Sequence, residues 1–491
     1  MNEGPVGTKR TGALGRLSRY FEVEERGSTL RTEARGGLAT FFTMAYIVVL
    51  NPIILAGAAD VTGRRLDIGQ LASSTALVAA VMTLLMGVVG RYPFAVAAGL
   101  GLNGVVAFQL AAVMSWPAAM GVVVLEGLLI TALVLTGVRQ AVFDAVPLAI
   151  KNAIAVGIGL FIAFIGFVNA GFVRRVPDAA NSPVPVTLGV DGRLLGWPTL
   201  VFIVGLLVTT VLVARKVRAA ILLSIVGTTV FAIVLQAIVD VTAQIVPGQP
   251  PNPRGWSLTV PSWPDDIVST PDLGLLGEFS LFGSFDAVGV LSALLLVFTL
   301  MLADFFDTMG TVVGVGAQGA LLDEEGRLPG AGRVLLVDSV AAAAGGAASA
   351  SSNTTYIESA AGVGDGARTG VANLVTGALF LAALFLTPLV GIVPYEAASP
   401  ALVVVGFLLM TRVKDVPWDD YAVAIPAFLT IVLMPFTFSI TNGIGAGFVS
   451  YAVIRLVTGR GREVHPLLWA VAVLFVLYFG IEIVEQVTGV R

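Results

Sequence analysis

The sequence predicts an all-α polytopic membrane protein of fourteen transmembrane segments, arranged as two inverted repeats of seven. Three observations carry that prediction. The 491 residues are 56% hydrophobic and only 12% charged, with a mean hydropathy of +0.92, whereas a soluble domain carries about a quarter charged residues. Apolar stretches that can cross about 30 Å of hydrocarbon fall into two groups of seven around a proline-rich stretch. The basic residues between them favour alternate loops, as membrane topology demands.

Residues 1–36 are polar, carry Lys9, Arg10, Arg16, Arg19 and Arg31, and lack the apolar core and small-residue cleavage site of a signal peptide. They read as a cytoplasmic N-terminal tail. The first repeat, 37–246, holds apolar segments at 37–57, 70–90, 94–114, 117–137, 146–170, 197–214 and 219–246. Residues 247–285 read as an extracytoplasmic loop, because prolines from Pro247 onward oppose helix. The second repeat, 286–458, holds 286–312, 334–348, 350–363, 366–390, 397–411, 421–437 and 440–458. In the C-terminal segment, 459–491, residues 466–485 are apolar enough for one more span, which would leave the C-terminus outside unless a segment such as 421–437 fails to cross.

Arg91, then Arg139 and Lys151, then Arg215, Lys216 and Arg218 occupy alternate loops of the first half; Arg327 and Arg333, Arg368, Arg412 and Lys414, and Arg455, Arg460 and Arg462 do so in the second. All place the N-terminus in the cytoplasm. Arg64, Arg65, Arg174 and Arg175 fall on the outer side and oppose this more weakly than the RKVR run supports it. Seven crossings invert the second copy relative to the first. That is the plan of secondary transporters, whose sites lie at the midplane where broken helices meet.

Matching breaks are present. The third segment reads YPFAVAAGLGLNGVVAF and the tenth GGAASASSNTTYIESAAGVG, both short, rich in glycine or small polar residues, and poor material for a continuous helix. Extended backbone leading into a half-helix is expected at each, with Gly99, Gly101 and Asn353 in the half-helix backbone. Such backbone is tolerated at that depth only around a cavity, and a half-helix N-terminus there would turn unpaired N–H groups toward a ligand.

Asp304, Asp307, Thr308 and Thr311 in the eighth segment are spaced i, i+3, i+4, i+7 and share one helical face. A charge at the centre of a span costs at least about 2.5 to 3.5 kcal/mol, so this stripe belongs against a cavity or a partner helix. A purely structural hydrogen-bond network is the alternative. Glu358 follows Thr354, Thr355 and Tyr356 where a half-helix should begin, and a helix N-terminus favours a carboxylate there. The competing role is a simple first-turn acid. Asn103 offers an amide, donor and acceptor together, in the matching break of the first half. Glu126, also in an apolar segment, reads equally well as structural or functional.

Several classes are excluded. The chain has no cysteine and a single histidine, His465, so thiolate chemistry and a His-based metal site or triad lack their parts. His465 precedes Pro466 at a basic turn and reads as an interfacial residue. No GxxxxGK phosphate loop is present. Neither enzyme chemistry, a metal nor a cofactor is expected, and the basic clusters read as topology or lipid contacts, not nucleic-acid contacts.

The segments RTEARGGLATFFTMAYIVVLNPIIL, PFAVAAGLGLNGVVAF, ADFFDTMGTVVGV and NTTYIESAAGVGDGARTG closely resemble the hallmark segments of the hypoxanthine/adenine/guanine permeases, a branch of the nucleobase/ascorbate transporter group. The similarity runs from about Arg19 to the C-terminus. It implies a core domain from the first four helices of each repeat and a gate domain from the last three. It also implies proton-coupled import of purine bases, adenine, guanine or hypoxanthine, across the inner membrane by an elevator-like movement. Residue by residue, the resemblance puts the substrate site on Asn103, Asp304 and Glu358, with Thr354 and Thr355 beside them, and puts coupling on Asp307 together with Asp304. Ala98 stands where the family commonly has proline, and Asn353 where a small residue or threonine is usual, so preference among purines is the property most open to change. The expected partners are a purine, a proton and the bilayer, with a homodimer as one assembly open to the chain.

Other readings are an inorganic or organic anion carrier on the same fold, a channel, and an intramembrane aspartyl enzyme. Three acids in the site oppose an anion. Asp304 and Asp307 on one turn of one helix lack the facing geometry of a catalytic dyad.

Overall fold

Thr29 opens the first long helix by accepting a hydrogen bond from the Thr32 amide, and from there the chain is helical through most of its length. The structure, a computed structural model, describes residues 13–137, 146–176, 185–245, 250–324 and 327–480. The first half comprises α1 (Ala13–Tyr20), α2 (Leu30–Met44), α3 (Ile47–Gly57), α4 (Ile68–Leu85), strand β1 (Val96–Ala98), α5 (Leu100–Val105), α6 (Trp116–Thr136) and α7 (Leu148–Asn169). A small antiparallel hairpin, β2 (Val173–Arg175) with β3 (Val186–Leu188), leads to α8 (Trp197–Ala214) and α9 (Ala220–Val239). The second half comprises α10 (Gly283–Val288), α11 (Val290–Gln318), α12 (Ala331–Ala347), β4 (Asn353–Thr355), α13 (Ser359–Gly364), α14 (Val371–Ala383) and α15 (Pro388–Gly391). It continues through α16 (Tyr395–Met410), α17 (Tyr421–Phe436), α18 (Ile440–Val457) and α19 (Pro466–Phe479).

Among the described residues nine helical stretches are long and apolar enough to cross a membrane, including Leu30–Gly57, Trp116–Thr136, Leu148–Asn169 and Val290–Gln318. Four shorter apolar helices accompany them. Helices that are apolar on all sides are buried or lipid-facing, and the protein is an all-α polytopic membrane protein.

The two interrupted segments meet. β1 and β4 pair antiparallel, with Val96 opposite Thr355, Ala97 opposite Thr354 and Ala98 opposite Asn353. This pairing satisfies backbone groups where no water is available to do so. α5 and α13 then lead away from the pair, α5 continuing through a wide π-helical turn to Leu110.

Close helix crossings build the surround. A side chain at Gly127 of α6 would lie 2.3 Å from the Ala343 amide nitrogen of α12. At the crossing of α7 and α16, a side chain at Gly159 would lie 2.6 Å from the Gly406 carbonyl oxygen. Small residues at such points let backbones approach, which is how helices associate where lipid removes the hydrophobic drive.

Some boundaries differ from expectation. The first span begins at Leu30, inside the stretch expected to be tail, because Thr29 caps it and Glu33 is buried, accepting bonds from the Arg368 and Thr369 amides (2.8 and 3.2 Å). The eighth segment is a 29-residue helix that extends to Gln318. The last apolar helix ends at Phe479, while residues 481–485 of the expected 466–485 span, and Lys9, Arg10, Arg139 and Pro247, lie outside the described residues.

Candidate functional site

A cavity of about 490 Å³ opens between the β1–α5 and β4–α13 breaks on one side and α7 and α16 on the other. Leu100, Leu102, Ile154, Ile158, Phe306 and Val405 make much of its wall apolar. Its polar equipment is Tyr46, Asp307, Thr311, Thr355, Tyr356 and Glu358, with Lys151 and Arg412 from the α7 and α16 side. That is the profile of a small-molecule site: mostly apolar, with a few fixed polar groups.

Glu358 sits immediately before α13 and is held from the other half of the molecule. The Tyr46 hydroxyl, at the junction of α2 and α3, donates to Glu358 Oε1. Tyr356 is buried and its hydroxyl donates to the Ala98 carbonyl, tying the second break to the first. Gly99, Leu100, Gly101 and Leu102 all line the cavity, so the opening turn of α5 is at its wall. Its first N–H groups have no intrahelical acceptor. The α13 end differs: the Ser359 and Ala360 amides are already bonded to the Tyr356 and Ile357 carbonyls (3.1 and 2.9 Å). A tight turn there takes the donors that the sequence alone suggested would face a ligand.

The polar stripe of α11 divides between two environments. Asp307 and Thr311 line the cavity. Arg412 lies against the same helix, since a side chain at Gly310 would meet its guanidinium at 2.7 Å, and its charge acts on Asp307. Asp304 and Thr308 point behind the wall, toward α6 and α12. Thr308 Oγ1 bonds Asp338 Oδ2 (2.7 Å) and Thr354 Oγ1 (2.7 Å). Asp338 Oδ1 accepts from the Thr355 amide (2.8 Å) and hydroxyl (2.7 Å). Asp304 is fully buried, and neither of its oxygens has a hydrogen-bond partner.

Of the residues singled out from sequence, Glu358, Asp307, Thr355, Gly99 and Gly101 therefore meet at the cavity. Asp304, Asn103, Thr354 and Asn353 are buried and are not among its lining residues. The Asn103 amide has no partner on either atom, and Asn353 donates to the Ser351 carbonyl (3.1 Å). His465 lies away from the cavity and caps α19, its Nδ1 accepting from the Leu467 amide (3.2 Å). Sequence reasoning missed Tyr46 and Asp338 and read Lys151 and Arg412 only as topology signals. Asp338 was findable by the cost that marked Asp304, being an acid in the apolar run VLLVDSVAAAAGG. Tyr46 carried no local signal.

Residues 31–446 match the family described as Permease family. The chain is 38% identical over 468 residues, 94% of its length and 99% of the relative's, to the guanine/hypoxanthine permease PbuG of Bacillus subtilis. It is 37% identical to the adenine permease AdeP of Escherichia coli, covering 96% of this chain and 97% of that one. Among solved structures, the transmembrane domain of a cyanobacterial bicarbonate transporter, BicA, superposes with a TM-score of 0.57 at 15% identity over 85% of this chain and 97% of that chain. The murine anion transporter Slc26a9 does so at 0.58 and 11% identity, over 87% and 68%. These two likenesses concern the fold alone.

Proposed function

The chain belongs to this permease family and is a membrane transport protein, not an enzyme, and from that premise we propose that it imports purine nucleobases by proton symport. The observation that carries the reading is the setting of Glu358: a carboxylate fixed by Tyr46 at the edge of a largely apolar cavity, in a chain whose full-length relatives are guanine, hypoxanthine and adenine permeases. A neutral purine is a flat ring edged with N–H donors and ring-nitrogen acceptors. Glu358 accepts from its N–H edge, the opening turn of α5 at Leu100 and Gly101 donates to its acceptors, and Phe306 and the aliphatic wall take its faces.

In this reading the chain forms fourteen spans in two inverted repeats, residues 37–246 and 286–458, with a cytoplasmic N-terminus and the loop 247–285 outside. The first four segments of each repeat make a core that carries the base past a gate built by the last three. Asp307, on the cavity wall, is the coupling residue. Asp304 acts from behind the wall as its partner in coupling, while Asn103 shapes the half-helix α5, and Thr354 and Asn353, which lie in strand β4 and not in half-helix backbone, shape the extended entry to α13. The protein works in the inner membrane, with a homodimer as the assembly to test.

The anion-carrier reading has the likeness of fold and the cavity-lining Lys151 and Arg412 in its favour, but Asp307 and Glu358 stand on the same wall, and Glu358, held by Tyr46, is an acceptor that suits a purine N–H edge and not an anion. The test is uptake of labelled hypoxanthine into cells lacking their own purine permeases, with unlabelled guanine, adenine, uracil and sulfate as competitors. Competition by purines alone supports the proposal; competition by sulfate, or no uptake, overturns it.

A further inference from the structure

We propose that Glu126 of α6 and Asp304 of α11 form a single proton-binding site, one carboxyl and one carboxylate sharing a hydrogen, set behind the substrate cavity. The inference deepens the proton-coupled transport proposed above and rests on it. Glu126 lies near the middle of the Trp116–Thr136 span and is fully buried, as is Asp304. Glu126 receives one long bond, from the Ser352 hydroxyl (3.3 Å), and its second oxygen has no partner. Neither Asp304 oxygen makes a hydrogen bond: the Thr354 hydroxyl lies beside it, but Thr308 donates to Asp338 and so takes the Thr354 hydrogen for itself. The charged groups that act on Asp304 are Glu126 from α6, Asp338 from α12 and Asp307 from its own helix, all of them acids.

The third acid in this cluster is differently placed. Asp338 accepts three bonds, from the Thr308 hydroxyl and from the amide and hydroxyl of Thr355, a set that suits an ionised carboxylate. That leaves Glu126 and Asp304, within hydrogen-bonding reach of one another where α6 packs on α11, beside a fixed negative charge and short of donors. The close approach of Gly127 to Ala343 seals this layer between α6 and α12. Two like charges in such a place cannot both stay ionised, and a proton between them supplies the missing donor. One proton converts two poorly solvated anions into an O–H donor and its acceptor. The site shares a helix with Asp307 and a strand neighbour, Thr354, with the cavity-lining Thr355, so its proton occupancy reaches the base through α11 and β4.

Glu126→Gln mimics the protonated pair, because its amide donates to Asp304 as the shared hydrogen does. The experiment is hypoxanthine binding to purified protein across a pH series, with a pH-indicator dye recording proton uptake in weakly buffered solution. Wild type is expected to take up protons on binding and to lose affinity as pH rises. Glu126→Gln is expected to bind hypoxanthine with a smaller dye response and a shallower pH dependence than wild type, the remainder belonging to Asp307, and Asp304→Asn, the mirror substitution, to do the same. Proton uptake in Glu126→Gln undiminished from wild type overturns the inference while leaving purine transport intact. Failure of wild type to bind any purine overturns transport itself. Should both variants misfold, infrared difference spectra of the wild type decide: a protonated-carboxyl band that changes on binding supports the pair, and its absence overturns it.

Discussion

The hydroxyl of Tyr46 donates a hydrogen bond to Oε1 of Glu358, a residue 312 positions later. The first span thus fixes the carboxylate that stands at the second break. Tyr46→Phe removes the donor and leaves the ring, and a hydrogen bond to a charged group contributes about 1.5 to 3 kcal/mol. Purine affinity is expected to fall by about ten- to a hundredfold, with little change in thermal unfolding. Equilibrium binding of hypoxanthine to the purified variant checks this.

Glu358→Gln is the more severe change. It replaces an acceptor by a donor facing the ligand's own N–H, and truncating one member of a buried charge-assisted pair typically costs about 2 to 5 kcal/mol. Binding is expected to vanish from the measurable range. Wild-type affinity in a well-folded Glu358→Gln protein would take Glu358 out of the site.

Asp307 and Arg412 both line the cavity, one on α11 and one just beyond α16, and the charge of Arg412 acts on Asp307. Asp307→Asn is expected to keep purine counterflow, which needs only binding and movement, and to lose accumulation driven by a pH gradient. Arg412→Gln is expected to shift the pH profile of uptake without abolishing counterflow. Paired flux measurements in proteoliposomes separate these outcomes from a general loss of folding.

The crossing of α7 and α16 depends on bare backbone. Gly159→Val would drive a side chain into the Gly406 carbonyl, and overpacking of this kind costs about 1 to 3 kcal/mol. Gly227→Ala is the control, because nothing lies within 4 Å of a side chain there. Thermal unfolding in detergent is expected to show a lowered midpoint for the first and no change for the second.

Asp60 anchors the turn after the first span. Burial disfavours its charge, but its carboxylate accepts from the Thr62 hydroxyl (2.6 Å), the Trp116 amide (2.9 Å), the Arg64 amide (3.0 Å) and the Thr62 amide (2.9 Å), which together hold its pKa below the usual value. A carboxylate with a depressed folded pKa stabilises the fold above its unfolded value, about 3.9, and that contribution is lost as pH falls through the folded value. Asp60→Asn is therefore expected to be less stable than wild type at neutral pH, with the gap narrowing below about pH 4. Unfolding midpoints at a series of pH values check the sign.

Much of this was legible in the chain because lipid makes its demands visible. Long apolar runs marked the helices, and glycine and small polar residues marked the two breaks, since neither composition can sustain a buried helix. Asp307 and Glu358 stood out as acids in apolar surroundings and do line the cavity. What could not be read was which way each member of a stripe turns. Asp304 and Asp307 are one turn apart, yet the packing of α6 and α12 on one side of α11 leaves only Asp307 at the cavity. Tyr46 was invisible for a related reason: its role exists only through a contact between distant segments. Glu33 shows the same limit at the start of the first span, where an acid that looked like part of a polar tail is buried against the Arg368 and Thr369 amides.

The most direct test of the account is accumulation of labelled hypoxanthine in proteoliposomes holding the purified protein, acidic outside and neutral inside, with and without a protonophore. Proton symport of purines predicts concentrative uptake that collapses when the gradient is dissipated, is inhibited by guanine and adenine, and is indifferent to sulfate. Uptake that a sodium gradient drives equally well at uniform pH, or sulfate accumulation in place of hypoxanthine, would contradict it.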